Sequence, residues 1–311
     1  MKRAFTLLEL VVVIVVLGII AMMSFNAIMN IYSNYFQTRT VNELETQTEI
    51  ALEQISKRLE HRIKPSVIAR KTDGAFLALN DSGVNLNAEY EILEFIPYAY
   101  EIFNDVPSGS NKAGRYSGYA DLANSSPATG LISPGSNFTT GVVETIKDLT
   151  CKDDTRNATC VDFTKKDGGV VAIFSDVYYN VQDSFGYKGD ITKLDIAKVG
   201  VKSIDGDTLE ISGFANKQIS EQYHLAYTAN AIVPEQSQSQ ADKNNGVFDL
   251  NLYYDYRPWM GEKYKPNGEK ATLAKNVTRF VFTEKNGVIV LKLCMRAKNS
   301  EITICKSKAV Y

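Results

Sequence analysis

Residues 5–25 read FTLLELVVVIVVLGIIAMMSF, and from Leu10 onward only Gly18 and Ser24 relieve a run of strongly apolar side chains. A stretch of roughly 20 such residues is long enough to cross a bilayer as a helix. The chain is therefore expected to begin with a membrane span. A cleaved secretory signal would have a shorter apolar core followed by a small-x-small cleavage site. Here the run passes directly into an amphipathic segment, so cleavage after it would discard the start of one continuous helix. Lys2 and Arg3 are the only basic residues before the span, and positive charge beside a first span stays in the cytoplasm. Everything beyond about residue 30 is then exported. One residue disagrees with its surroundings: Glu9 places a carboxylate at the head of the run, and such residues inside spans are rare and functional.

Past the span the apolar residues thin to a stripe, Ile28, Ile31, Tyr35, Val41, Leu44, Thr48, Leu52, Ile55, Leu59 and Ile63. Steps of three and four place them on one helix face, with Glu43, Glu45, Glu49, Lys57, Arg58 and Glu60 on the others. Pro65 disfavours helical geometry at Lys64 and stops the pattern. A continuous helix from Phe5 to Ile63 would be about 90 Å long, and only its first third fits a membrane.

Beyond Pro65 the chain breaks into short segments of strand character separated by Gly, Asn, Asp, Ser and Pro. Expected strands are Tyr90–Ala99, Val170–Tyr179, Thr208–Phe214, Tyr223–Val233, Val247–Tyr254, Val277–Thr283, Gly287–Met295 and Glu301–Lys306. The fold class is α+β: a long N-terminal helix, half transmembrane and half amphipathic, packed on a mostly antiparallel sheet head. Low-complexity stretches starting at Gly109, Ala123 and Pro234 are expected as surface loops.

The four cysteines fall into two close pairs, Cys151 with Cys160 and Cys294 with Cys305, as in a compartment where disulfides persist. Each bridge would close a loop of roughly ten residues, worth about 2.5–3 kcal/mol through the unfolded chain. Cys294 and Cys305 lie symmetrically about Asn299 and Ser300, so a two-residue hairpin would set them opposite each other. The alternative is four unpaired buried thiols.

Catalytic patterns are sparse. The two histidines, His61 on the helix and His224 in a strand, have no spacing that suggests a metal pair or a triad. DKNNGVFD, Asp242–Asp249, offers oxygen ligands without the regular order of a calcium loop, and reads as a solvated turn. The tyrosines and phenylalanines of YEILEFIPYAYEIF and NLYYDYRPWM read as half-buried strand packing. Arg257, Lys263, Lys265 and Lys270 near Trp259 could form a basic patch, weakened by the interleaved Glu262 and Glu269. A net charge of -2 gives no global case for binding a polyanion.

KRAFTLLELVVVIVVLGII resembles the leader and first helix of type IV pilins and of the pseudopilins of type II secretion systems. The resemblance covers about residues 2–23 and implies a cut by a prepilin peptidase between Ala4 and Phe5. Phe5 would become the methylated first residue, and Glu9 the fifth, an assembly residue that meets the new amine of an adjoining subunit. The family usually has Gly in place of Ala4. Asn26 stands where major subunits often carry Pro, which leans toward a minor subunit. The segment Asn276–Arg296 looks like the closing hairpin of larger minor subunits. The resemblance divides the chain into a leader (1–4), an N-terminal helix (5–63, transmembrane over 5–25 and amphipathic over 26–63) and a periplasmic β-rich head (64–311). It implies a single-pass inner-membrane protein with a cytoplasmic amino terminus, later part of a periplasmic pseudopilus.

The implied partners are other pilin-like subunits through the N-terminal helix, the prepilin peptidase, the inner-membrane assembly platform and the membrane itself. Nucleic acid is a partner only if the filament serves DNA uptake. No cofactor, metal or enzymatic activity is implied. The reading is a structural subunit for type II secretion or competence; the alternatives are an adhesin or substrate-binding tip module, and an enzyme tethered by an uncut anchor.

Overall fold

The computed structural model describes residues 7–80, 90–103, 115–128, 130–139, 141–151, 160–202, 206–215, 217–236, 246–298 and 301–311. Its first element, helix α1 (Leu7–Glu60), has 54 residues and is about 80 Å long at 1.5 Å per residue. The sequence explains where it is bare and where it is covered. Up to Phe36 the large apolar side chains are exposed all round the helix. From Leu44 they fall on one face, and Leu44, Thr48, Ala51, Leu52, Ile55, Ser56 and Leu59 are buried. Thr48 and Ser56 sit on that face because their hydroxyls donate to the carbonyls of Leu44 and Leu52, at 2.7 and 2.8 Å, leaving no unsatisfied polar group.

The helix stops at Glu60, earlier than Pro65 suggests. The His61 carbonyl accepts the Tyr98 N–H at 2.9 Å and the Ile63 N–H donates to Ile96 O at 2.8 Å. Strand-like pairing therefore captures the chain first, and Pro65 lies in a 3-10 turn over Lys64–Ser66.

Among the described residues two sheets follow, with every strand pair antiparallel. The larger contains β1 (Ile68–Lys71), β2 (Phe76–Ala78), β3 (Tyr90–Phe95), β9 (Ala229–Gln236), β10 (Phe248–Tyr256), β11 (Glu269–Lys285), β12 (Val288–Arg296) and β13 (Thr303–Val310), in the order β13-β12-β11-β10-β9-β3-β1-β2. The smaller contains β4 (Leu131–Ile132), β5 (Val171–Phe174), β6 (Ala197–Val201), β7 (Thr208–Ser212) and β8 (Tyr223–Ala226), in the order β4-β7-β6-β5-β8. A second helix, α2 (Val142–Thr150), buries Val142, Ile146 and Thr150, one turn apart.

Period-two alternation makes these strands two-faced. In β3, β9 and β10, Leu93, Phe95, Ile232, Leu250 and Leu252 join the core under α1. Their neighbours Ile92, Ala231, Val233, Tyr253 and Tyr256 join a second core with Val171 and Ile173 of β5, between the sheets. Ala172 and Phe174 of β5 face a third core with Val142 and Ile146 of α2. The head is thus layered as helix, large sheet, small sheet and helix.

Several strand and loop expectations need correction: Tyr90–Ala99 ends at Phe95, and the stretch starting at Pro234 begins inside β9. Tyr223–Val233 is not one strand: it divides at Tyr227 and Thr228 into β8 and β9, which belong to different sheets. Val170–Tyr179 ends at Phe174, because Asp176 takes a left-handed φ of 58° and the Tyr179 hydroxyl turns back to bond the Phe174 backbone at 2.8 and 2.9 Å. The stretch starting at Ala123 holds β4 as well as loop.

Candidate functional site

The exposed half of α1, which packs against no part of the head among the described residues, is the first candidate. An 18-residue window of it has a mean hydropathy of 2.8 and no buried residue. Glu9 stands exposed in its first turn, between Leu8 at 75% and Leu10 at 56% exposure. No side chain lies within 4 Å of the place where Gly18 would carry a Cβ. Of the expected stripe, Ile28, Ile31 and Tyr35 stay outside the head and continue this bare surface. Lys2, Arg3, Ala4 and Phe5 lie outside the described residues.

The other half of α1 is clamped to the end of the chain. Lys306 on the edge strand β13 reaches Glu45 at 3.2 Å and Glu49 at 2.7 Å, and Lys308 pairs with Glu53. The hydrogen bond and charge of Lys306 hold the Glu49 carboxyl below its ordinary range, and the bond to Glu49 raises Lys306 in return. Just past the helix, the Arg62 guanidinium donates to Leu59 O at 2.8 Å, Gly287 O at 2.8 Å and Tyr311 O at 3.2 Å. It joins the helix end, the β11–β12 turn and the last residue. These contacts fix the second half of α1 to the head, and the bare half projects from it.

The cysteines are bonded as two local pairs, Cys151–Cys160 and Cys294–Cys305. Cys294 and Cys305 are direct partners in the β12–β13 register, with Cα atoms 4.0 Å apart. The strands already end at Arg296 and Thr303, so the connection is longer than two residues; Asn299 and Ser300 lie outside the described residues, as do residues 152–159.

The two histidines share a neighbour rather than a metal: His61 Nδ1 lies 3.1 Å from the Tyr98 hydroxyl, and the His224 ring packs on the Tyr98 ring with centroids 5.1 Å apart. Burial lowers the basicity of His224. Among the described residues no group of three or more His, Cys, Asp and Glu is gathered as a metal site. Of Asp242–Asp249, residues 242–245 lie outside the described residues and the remainder leads into β10.

The basic patch around Trp259 is corrected. Trp259 is fully buried, and its indole N–H donates to Gly169 O at 3.0 Å. Arg257 is bound by Asp255 and Glu262, and both Lys265 and Lys270 converge on Glu235. Burial alone would raise the Glu235 carboxyl, but the hydrogen bonds of Lys270 and Tyr253 hold it low.

A family described as the prokaryotic N-terminal methylation motif matches residues 1–25, so the resemblance at the amino terminus is borne out there. Comparison with curated proteins and with solved structures returned no match.

Proposed function

We propose, from the premise that residues 1–25 are the methylation segment of the type IV pilin-like family, that this chain is a minor pseudopilin- or pilin-like subunit of a periplasmic filament. The carrying observation is the division of α1 into a wholly exposed apolar half with one acid and a half clamped to the head. Such a chain is anchored in the membrane by the first half while it waits. An apolar surface of that size is stable only in lipid or against other helices, so the same side chains pass from bilayer to filament core on assembly. Copies packed by a screw operation make a heterologous interface that does not close, which gives a filament.

Glu9 sets the register in this mechanism. Its charge in the bilayer costs somewhat less than the roughly 2.5–3.5 kcal/mol of a charge at a span's centre. Cutting between Ala4 and Phe5 creates a cationic amine on a neighbour that offsets the cost, and does so best where water is excluded. The chain works by assembly rather than catalysis, and both histidines are occupied as packing around Tyr98. The filament serves type II secretion or DNA uptake, and adjoining genes for a secretin and secretion ATPase, or for DNA-uptake proteins, distinguish the two.

The test is Glu9→Leu in cells with active prepilin peptidase. It should insert and be processed as the wild type is, but fail to co-purify with its partner subunits. Unimpaired co-assembly would remove the pairing mechanism.

A further inference from the structure

Where the last turns of α1 meet the head, a cleft of 710 Å³ opens between the segment after β3, the β8–β9 connection and the end of α2. Tyr98, Tyr100, Tyr227 and Tyr254 line it. Tyr100 is 44% and Tyr254 37% exposed, and the Tyr100 ring is held against His61 with centroids 4.1 Å apart. Asn230, also in the lining, is only 3% exposed, and among the described residues its Oδ1 is buried without a hydrogen-bond partner. A buried acceptor left unmatched costs about 1–3 kcal/mol, a cost that a donor brought into the cleft would offset. The β9–β10 pairing is also broken between Tyr253 and Tyr256, with Asp255 at φ 55°. Bulges of this kind re-aim side chains next to sites, and here Tyr254 and Asp255 both reach the cleft.

The charges of the walls are largely answered within the protein. Glu53 is held by Lys308, Lys57 by Glu60 at 3.1 Å, and Asp255 by Arg257 at 3.1 Å. Arg58 and Glu101 add one charge of each sign. An uncharged occupant therefore fits best, with apolar faces to lie on tyrosine rings and an O–H or N–H for Asn230. Extended peptides are bound through main-chain hydrogen bonds, and this wall offers few: Pro97 has no N–H, while those of Tyr98, Ala99 and Tyr100 are spent on His61 O, Leu225 O and Tyr98 O. A sugar ring needs none of them.

We propose that this cleft binds a neutral saccharide, its ring lying on the exposed tyrosines and a hydroxyl or acetamido N–H donating to Asn230 Oδ1. The site belongs to the head and does not depend on filament assembly. Saturation-transfer NMR on the full chain, in a detergent without a sugar headgroup, tests it with maltose, cellobiose and N,N′-diacetylchitobiose as probes. At least one should bind saturably, and Tyr100→Ala and Asn230→Ala should each weaken it about tenfold or more. Tyr178→Ala, which removes a ring 89% exposed outside the cleft, should leave binding unchanged. Silence from all three sugars at millimolar concentration overturns the proposal. So does wild-type binding by Tyr100→Ala, an exposed position whose loss leaves the core intact.

Discussion

Glu94 and Arg70 lie on the inner face of β3 and β1, with Arg70 Nε 2.6 Å from Glu94 Oε2. The Tyr256 hydroxyl donates to the other carboxylate oxygen at 2.8 Å, and the guanidinium lies over the Phe76 ring at 4.7 Å. Burial pushes the Glu94 carboxyl up, against the pull of Arg70 and the Tyr256 hydrogen bond. Removing one member of such a pair strands the other charge. Glu94→Ala should therefore cost about 3–5 kcal/mol in denaturant unfolding, whereas replacing both partners by apolar residues of similar volume should recover most of the loss. A Glu94→Ala protein as stable as the wild type would show that the pair is not dry. This residue is hidden in the sequence, because Glu91 and Glu94 fall on opposite faces of the strand and nothing in YEILEF marks which face is covered. Only the second sheet, far along the chain, buries that face. Glu9 stands out in the sequence because its apolar surroundings are its own sequence neighbours.

At the scale of elements, α1 shows the same division. The spacing of Leu44, Thr48, Leu52, Ile55 and Leu59 identified the buried face, because helical periodicity is a local property. That Ile28, Ile31 and Tyr35 lie beyond the head could not be read, since the stripe looks the same whether a sheet or another subunit covers it. The break between β8 and β9 escapes for a related reason: YHLAYTANAIV has no Pro or Gly to mark it, and a strand buried on both faces shows no alternation. Helix α2 was overlooked despite apolar or uncharged residues at each fourth position.

The clamp between α1 and β13 gives a pH dependence. The Glu49 carboxyl is depressed in the folded chain, so its contribution is complete above its ordinary value of 4.5 and fades as pH falls through the depressed value. Lys306 is raised, so its share is complete below 10.5 and fades only as pH rises through the raised value. Hydrogen exchange of the amides between Leu44 and Leu59 should therefore quicken on acidification below 4.5, relative to the β9 and β10 amides. Lys306→Ala should flatten that difference. Equal acid sensitivity in the variant would mean that the clamp carries none of the effect.

For the whole molecule, the layers explain why a head with a modest surface charge and two local disulfides can carry a bare apolar helix. The large sheet holds the buried half of α1 on one face and the small sheet on the other, so the strands that carry the helix are themselves packed on both faces. The α+β class was readable from the change of pattern at Pro65, while the partition into two sheets was not, because it depends on which distant strands pair. The tyrosine cleft was read as strand packing for the same reason: YEILEFIPYAYEIF carries no mark of the helix end and the β8–β9 connection that meet it. The account rests on the amino terminus being cut and then used in assembly. Mass spectrometry of the protein purified from cells with active prepilin peptidase is the most direct test. It should find a chain beginning at N-methylated Phe5, and an intact amino terminus at Met1 would contradict the account.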